Sequence, residues 1–154
     1  MRLLSALQRY GLKWENYLLL GRTLSAARQV RHLVRDHSAT PPISSILPII
    51  NDFYLAPQTA WHISDAEKIA WFANFITKFP VAWGQCVHRS LIVYKLLNGY
   101  GIPARLIIGI VPGREDLAGH VWVARIGDGN QAFAEAEEPT KKYLPVFSSA
   151  LPKS

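Results

Sequence analysis

Cys86 is the only cysteine in the 154-residue chain, and His88 follows it in the stretch "QCVH". A lone cysteine is a small buried residue, a metal ligand or a nucleophile, and these two side chains raise all three readings. The helical periodicity downstream predicts a helix from about Cys86 to Leu97, which puts Cys86 at the helix start. Unpaired N–H groups and the helix dipole favour a thiolate there, and the same N–H groups can stabilise an oxyanion. A buried helix cysteine that does no chemistry remains the competing reading at this point. Helix positions i and i+2 point roughly 200° apart, so His88 is a poor base for Cys86 and a poor co-ligand. His32, His37, His62 and His120 show no metal-ligand spacing either, so no metal site is expected. His120 is the better base. It opens the apolar run "HVWVARI" after a polar loop bounded by Gly113 and Gly119, where a strand can present it at the edge of a cleft.

A helix and a strand must hold this pair, and the chain supplies both. Residues 1 to about 36 read as helical, with Leu3, Leu4, Leu7, Tyr17, Leu18, Leu20, Leu24 and Ala27 near a 3.6 period, broken into pieces at Gly11 and Gly21. "HSATPPISSILP" (37–48) reads as a linker, and a short apolar helix is expected around 43–54. "DAEKIAWFANFITKF" (65–79) reads as a helix capped by Ser64 with Glu67 three residues on. Its apolar face is Ile69, Phe72, Phe75 and Ile76, and Pro80 closes it. After the Cys86 helix, "NGYGIP" (98–103) offers Gly99 and Gly101 for positive φ. "ARLIIGIV" (104–111) reads as a central strand, "HVWVARI" (120–126) as a second, and "GDGN" (127–130) as a hairpin turn. A third strand is expected at 131–137, with Ala132, Ala134 and Ala136 on one face and Phe133, Glu135 and Glu137 on the other. The stretch "EPTKKYLPVF" reads as a C-terminal extension. Helices first, then one helix leading into strands, is an α+β order. The division expected is a helical region over 1–64, suited to binding a partner or substrate, and a catalytic core over 65–154, the two forming one compact domain.

Composition narrows the function classes. Hydrophobic residues make up 49% and charged residues 18%. That is enough apolar material for a core and too little charge for a disordered chain. One cysteine excludes an internal disulfide and any multi-thiolate zinc site, in keeping with a reducing compartment. The N-terminal stretch is broken by Arg9, Lys13, Glu15 and Arg22. It therefore supplies neither a spanning helix of ~18 apolar residues nor a secretory h-region. A cytoplasmic protein without stable membrane insertion is expected. The net charge of +6 gathers early, with Arg28, Arg31 and Arg35 on one helix face. That face could meet an acidic protein, a membrane surface or simply water. No zinc-finger spacing or aromatic-interleaved basic run points to nucleic acid, and no nucleic-acid partner is expected.

The combined pattern "C..RSL..Y.LL...GIPARL.IG" and "GHVWV" resembles the transglutaminase-like cysteine protease superfamily, over about residues 80–147. Spacing and chain length are most similar to the lasso-peptide maturation proteases, the B2 leader peptidases. Cys86, Arg89, Ser90, Gly101, Ile102, Pro103, Ala104, Arg105, His120 and Trp122 match. The resemblance implies a Cys-bearing helix packed on a small antiparallel sheet, and a Cys86–His120–acid triad acting through a thioester. The family's acid is usually an Asp on the next strand. This chain has none there, and Glu135 is the choice, with Glu137 as rival; Asp128 reads as a turn residue. Gln85 and Trp83 are oxyanion candidates, and His88, Arg89 and Trp122 are substrate-groove candidates. Trp61, Trp71 and Trp83 together with the basic helices are candidates for a partner groove, Trp71 reading rather as core. The resemblance further implies no cofactor. It implies a precursor peptide as substrate, a separate small leader-binding protein (a RiPP recognition element) that presents it, and a macrolactam cyclase acting afterwards. Acyl transfer to an amine and a catalytically silent peptide-binding module are the alternatives.

Overall fold

The structure is a computed structural model that describes residues 14–35, 63–77, 85–113, 119–133, 135 and 141–149. Among the described residues, three helices, α1 (Trp14–Arg35), α2 (Ile63–Thr77) and α3 (Gln85–Gly99), precede three strands, β1 (Ala104–Ile110), β2 (Gly119–Arg125) and β3 (Leu144–Ser148). The architecture is α+β. The sheet is antiparallel in the order β2-β1-β3, so β1 is its centre.

α1 runs straight through Gly21 because a stripe at helical spacing carries it: Leu19, Thr23, Ala26 and Val30 are all buried. Thr23, the polar member, donates its hydroxyl to the Leu19 carbonyl at 2.7 Å. A buried hydroxyl satisfied in this way costs the core little. On the outer side, Arg28 and Arg31 are exposed, whereas Arg22 donates to the Tyr100 hydroxyl at 3.1 Å. α2 starts at Ile63, so Ser64 lies in its first turn rather than ahead of it, and the expected end at Phe79 lies outside the described residues. Ala66, Ile69, Phe72 and Ala73 are buried, while Phe75 and Ile76 are half-buried. Trp71 is half-buried against the core and stacks on Phe75 with ring centroids 5.4 Å apart. The expected pieces at 1–13 and 37–54, Trp61 and Trp83 lie outside the described residues.

α3 sits between the other two helices and the sheet. Leu91, Ile92, Tyr94 and Leu97 join Leu19, Ala26 and Val30 of α1, Ile69 and Phe72 of α2, and Leu106, Ile108, Val121 and Val123 of the sheet in one core. Its end is closed by paired backbone bonds, Ile102 N–H to Leu97 carbonyl at 2.9 Å and Gly101 N–H to Asn98 carbonyl at 3.0 Å. Gly101 adopts φ 73°. This helix stop requires such a left-handed conformation, which glycine takes without strain. Asn98 then ties the helix to β1: its amide donates to the Tyr94 and Ala104 carbonyls at 3.0 and 3.2 Å, and its oxygen accepts from Ala104 N–H at 3.1 Å. The first residue of the central strand is thus pinned to the helix that carries Cys86.

Two expectations about the sheet are corrected. Residues 131–133 and Glu135 belong to no strand; one bond, Phe133 N–H to the Val123 carbonyl at 2.7 Å, is the rung they make with β2. The turn at 127–130 therefore leads into an irregular segment and not a hairpin arm. The face alternation still operates there, since Ala132 packs with Ile107, Trp122 and Ala124 while Phe133 joins the main core. The third strand comes instead from the stretch read as an extension. β3 contains Pro145, which an edge strand tolerates because no ladder donor is needed on its outer side. Pro145 faces Gly109, where the register shifts between Ile108 and Gly109. Just past β3, Ser149 continues the pairing, accepting from Leu106 N–H through Oγ at 3.0 Å and donating its N–H to the Leu106 carbonyl at 2.8 Å.

Candidate active site

Cys86 is the second residue of α3 and is half-buried at the helix start. β2 begins one residue before His120, and α3 packs across that strand. The contact is local and specific: one turn along α3, buried Ser90 donates its hydroxyl to the Val121 carbonyl at 2.7 Å. This bond fixes the start of β2 against the start of the helix, and Cys86 and His120 meet in a hydrogen bond.

His120 is oriented from several sides. Its Nε2 lies 2.9 Å from Oε2 of Glu135, which leaves Nδ1 as the nitrogen for Cys86. Its ring stacks on Tyr143 at 5.1 Å and on Trp122 at 6.0 Å between centroids. Trp122 is fully buried and its indole N–H donates to the Asn130 carbonyl at 2.9 Å. Gly109, directly opposite His120 in the β1–β2 register, leaves the space that the Trp122 ring occupies. Glu135 completes the row, its carboxylate largely buried, with Oε1 accepting from Nη2 of Arg89.

The electrostatics follow from these contacts. Burial pushes the Cys86 thiol up, but the hydrogen bond and charge of His120 and backbone hydrogen bonds from Val121 and Val87 outweigh it, so its pKa falls below the ordinary value. His120 is raised to about 9 by its hydrogen bonds to Cys86 and Glu135 and by their charges, against the opposing effect of burial. Both shifts favour a thiolate–imidazolium pair over the neutral pair. Histidine lies between thiol and carboxylate, so the three do not converge on a point. Among the described residues no group of three or more His, Cys, Asp or Glu is placed to hold a metal ion.

Of the residues singled out in the sequence, the structure brings Cys86, His120 and Glu135 together. Glu137 and Trp83 lie outside the described residues, and Gln85 is placed only as the first residue of α3. Trp122 is corrected: a residue with no exposed surface does not line a groove, and its ring instead backs His120. Arg89 is engaged by Glu135, a partnership its i+3 position after Cys86 allowed but did not announce. His88 is half-buried, two residues beyond Cys86 and so on another face of α3. Tyr143 is a further site residue that the sequence reading does not find, since nothing but an aromatic beside Lys141 and Lys142 marks it.

An α+β core that sets a thiol at a helix start against an acid-backed histidine on a strand is the arrangement of thiol-based acyl chemistry. Residues 18–148 match the family model of the transglutaminase-like superfamily, and the chain belongs to that superfamily. Cysteine peptidases are common in it, and membership suggests peptidase or acyltransferase-like activity. No curated protein and no solved structure matches the chain. Among the described residues, no helix is long and apolar enough to cross a membrane.

Proposed function

We propose that this chain is a cysteine peptidase that cuts the leader from a ribosomally made precursor peptide during lasso-peptide maturation. The observation that carries the chemistry is His120 bridged between Cys86 and Glu135. The Cys86 thiolate attacks the carbonyl of the peptide bond between leader and core. The oxyanion is met by N–H groups at the start of α3, with Gln85 and Trp83 as candidate further donors. His120 passes its proton to the leaving amine, water attacks the thioester, and Glu135 stabilises the imidazolium while holding the ring in place. Glu135 does here what an aspartate does in the related peptidases, and its contact with His120 weighs against a silent peptide-binding module.

The match of "C..RS", "GIPAR" and "HVW" to the lasso-peptide proteases supports the choice of substrate. On this reading a separate small leader-binding protein presents the precursor and a macrolactam cyclase takes up the freed core, all in the cytoplasm. The test is to incubate the purified chain with a leader-containing precursor, with and without the leader-binding protein, and to analyse the products by mass spectrometry. Free leader and free core are expected, and Cys86→Ala and His120→Ala each abolish them. Leader joined to an added amine would assign acyl transfer instead. Wild-type rates in both variants would sink the enzyme reading.

A further inference from the structure

Glu135 occupies its place without a strand to hold it. Among the described residues, the nearest backbone rung is the bond from Phe133 N–H to the Val123 carbonyl, two residues earlier. A glutamate side chain has several rotors, and ordering one costs up to about 2 kcal/mol. Something beyond the sheet must aim this carboxylate, and its two oxygens show what does so. Oε2 faces His120 Nε2, and Oε1 accepts from Arg89 Nη2. Side-chain exposure is 25% for Arg89 and 11% for Glu135. That sets the pair apart from a fully solvated surface pair, which contributes little. Arg89 is itself fixed, because it lies one turn after Cys86 on α3, beside the Ser90 that is bonded to β2. The contacts form a closed ring: Cys86 to His120, His120 to Glu135, Glu135 to Arg89, and one helical turn back to Cys86.

We infer that Arg89 is the positioning residue of this site, holding Glu135 in the rotamer that meets His120 and so stabilising the Cys86 thiolate–His120 imidazolium pair. The inference rests on the Cys86–His120–Glu135 relay and is independent of which peptide is cut. It gives "C..RS" one physical meaning: α3 carries the nucleophile, the clamp for the acid, and the bond that docks the histidine strand. A lysine at 89 keeps the charge but offers a compact ammonium on a flexible stem in place of a rigid fork, so it substitutes only in part.

The test uses the single thiol. Iodoacetamide alkylation of the full-length protein, followed by intact mass from pH 5 to 10, reads Cys86 alone, because the chain has one cysteine. In the native chain the rate should rise at a pH below the ~8.5 of a free thiol. Arg89→Gln should move that rise upward by about one pH unit, slowing alkylation roughly tenfold at pH values on the acid side of the native rise. Arg89→Lys should move it less. Glu135→Gln should act like Arg89→Gln, and the double variant should fall no further than Glu135→Gln alone. An Arg89→Gln profile that superimposes on the native one, or effects that add in the double variant, overturns the inference. Should Arg89→Gln lose its far-UV circular dichroism, Arg89→Lys and its double with Glu135→Gln carry the same comparison. Alkylation needs no peptide. A chain that shows the pH shift yet cuts no precursor therefore overturns the peptidase assignment and leaves this inference standing.

Discussion

Gly109→Ala should destabilise the protein by about 2–3 kcal/mol, although it adds only a methyl group. A Cβ at this position would lie 2.7 and 2.8 Å from two ring carbons of Trp122 and 2.9 Å from Cβ of Tyr143. None of these neighbours can yield easily. The Trp122 ring is fully buried, and moving it strains the bond from its indole N–H to the Asn130 carbonyl. Tyr143 is met at its Cβ, which no side-chain rotation removes. Overpacking of this kind costs typically about 1–3 kcal/mol, and a strained buried hydrogen bond adds up to about 1 kcal/mol. Against this, alanine restricts the unfolded chain and returns roughly 0.5–1 kcal/mol. For a chain of this length the balance lowers the melting midpoint by roughly 5–10 °C. Gly21→Ala is the matched control. It lies within α1 with nothing within 4 Å of the added methyl. This variant should raise the midpoint by a few degrees through about 0.5–1 kcal/mol of helix propensity. Thermal unfolding followed by circular dichroism reads both. Because Trp122 and Tyr143 flank His120, alkylation of Cys86 should also slow in Gly109→Ala. A Gly109→Ala chain that melts at or above the native midpoint would refute the packing argument.

Asn98→Ala should cost roughly 2–4 kcal/mol, since it removes the hydrogen bonds at a buried site and leaves the Ala104 N–H without its acceptor. Urea unfolding should show a lower midpoint at unchanged slope, and a loss below about 1 kcal/mol would mean the helix-to-strand tie is dispensable. The pH dependence has a fixed sign. His120 is raised from 6.5 to about 9, so its contribution to stability is complete below about pH 6.5 and is lost as pH rises through about 9. Cys86 is lowered, so its contribution is lost as pH falls through its folded-state value. Peptide cleavage should accordingly fall away on the alkaline side near pH 9.

The helices and first two strands are legible because their signals are local. Ile69 and Phe72 of α2, Leu91 and Leu97 of α3, and the apolar run of β1 repeat at the period of the element they form, and Gly101 marks the helix stop by its conformational freedom. At Gly21 the local signal suggests a break, but the buried stripe from Leu19 to Val30 outweighs the cost of one glycine. The third strand is the element that local pattern misplaces. The run 131–137 alternates as a strand does, but pairing depends on what the far side of β1 has available, and Pro145 disguises the segment that fills it.

By itself, the sequence determined an α+β chain with one thiol at a helix start, a histidine at a strand start and a glutamate on the Phe133 face of the following segment, because residue type, period and punctuation are properties of neighbours along the chain. Only the tertiary structure decided that Glu135 reaches His120, that Arg89 holds the other oxygen, that Trp122 backs the ring rather than facing a groove, and that β3 comes from 144–148. Each of these is a contact between residues far apart in the chain or across a strand, set by how α3 docks on β2 and by which segment finds the open edge of β1.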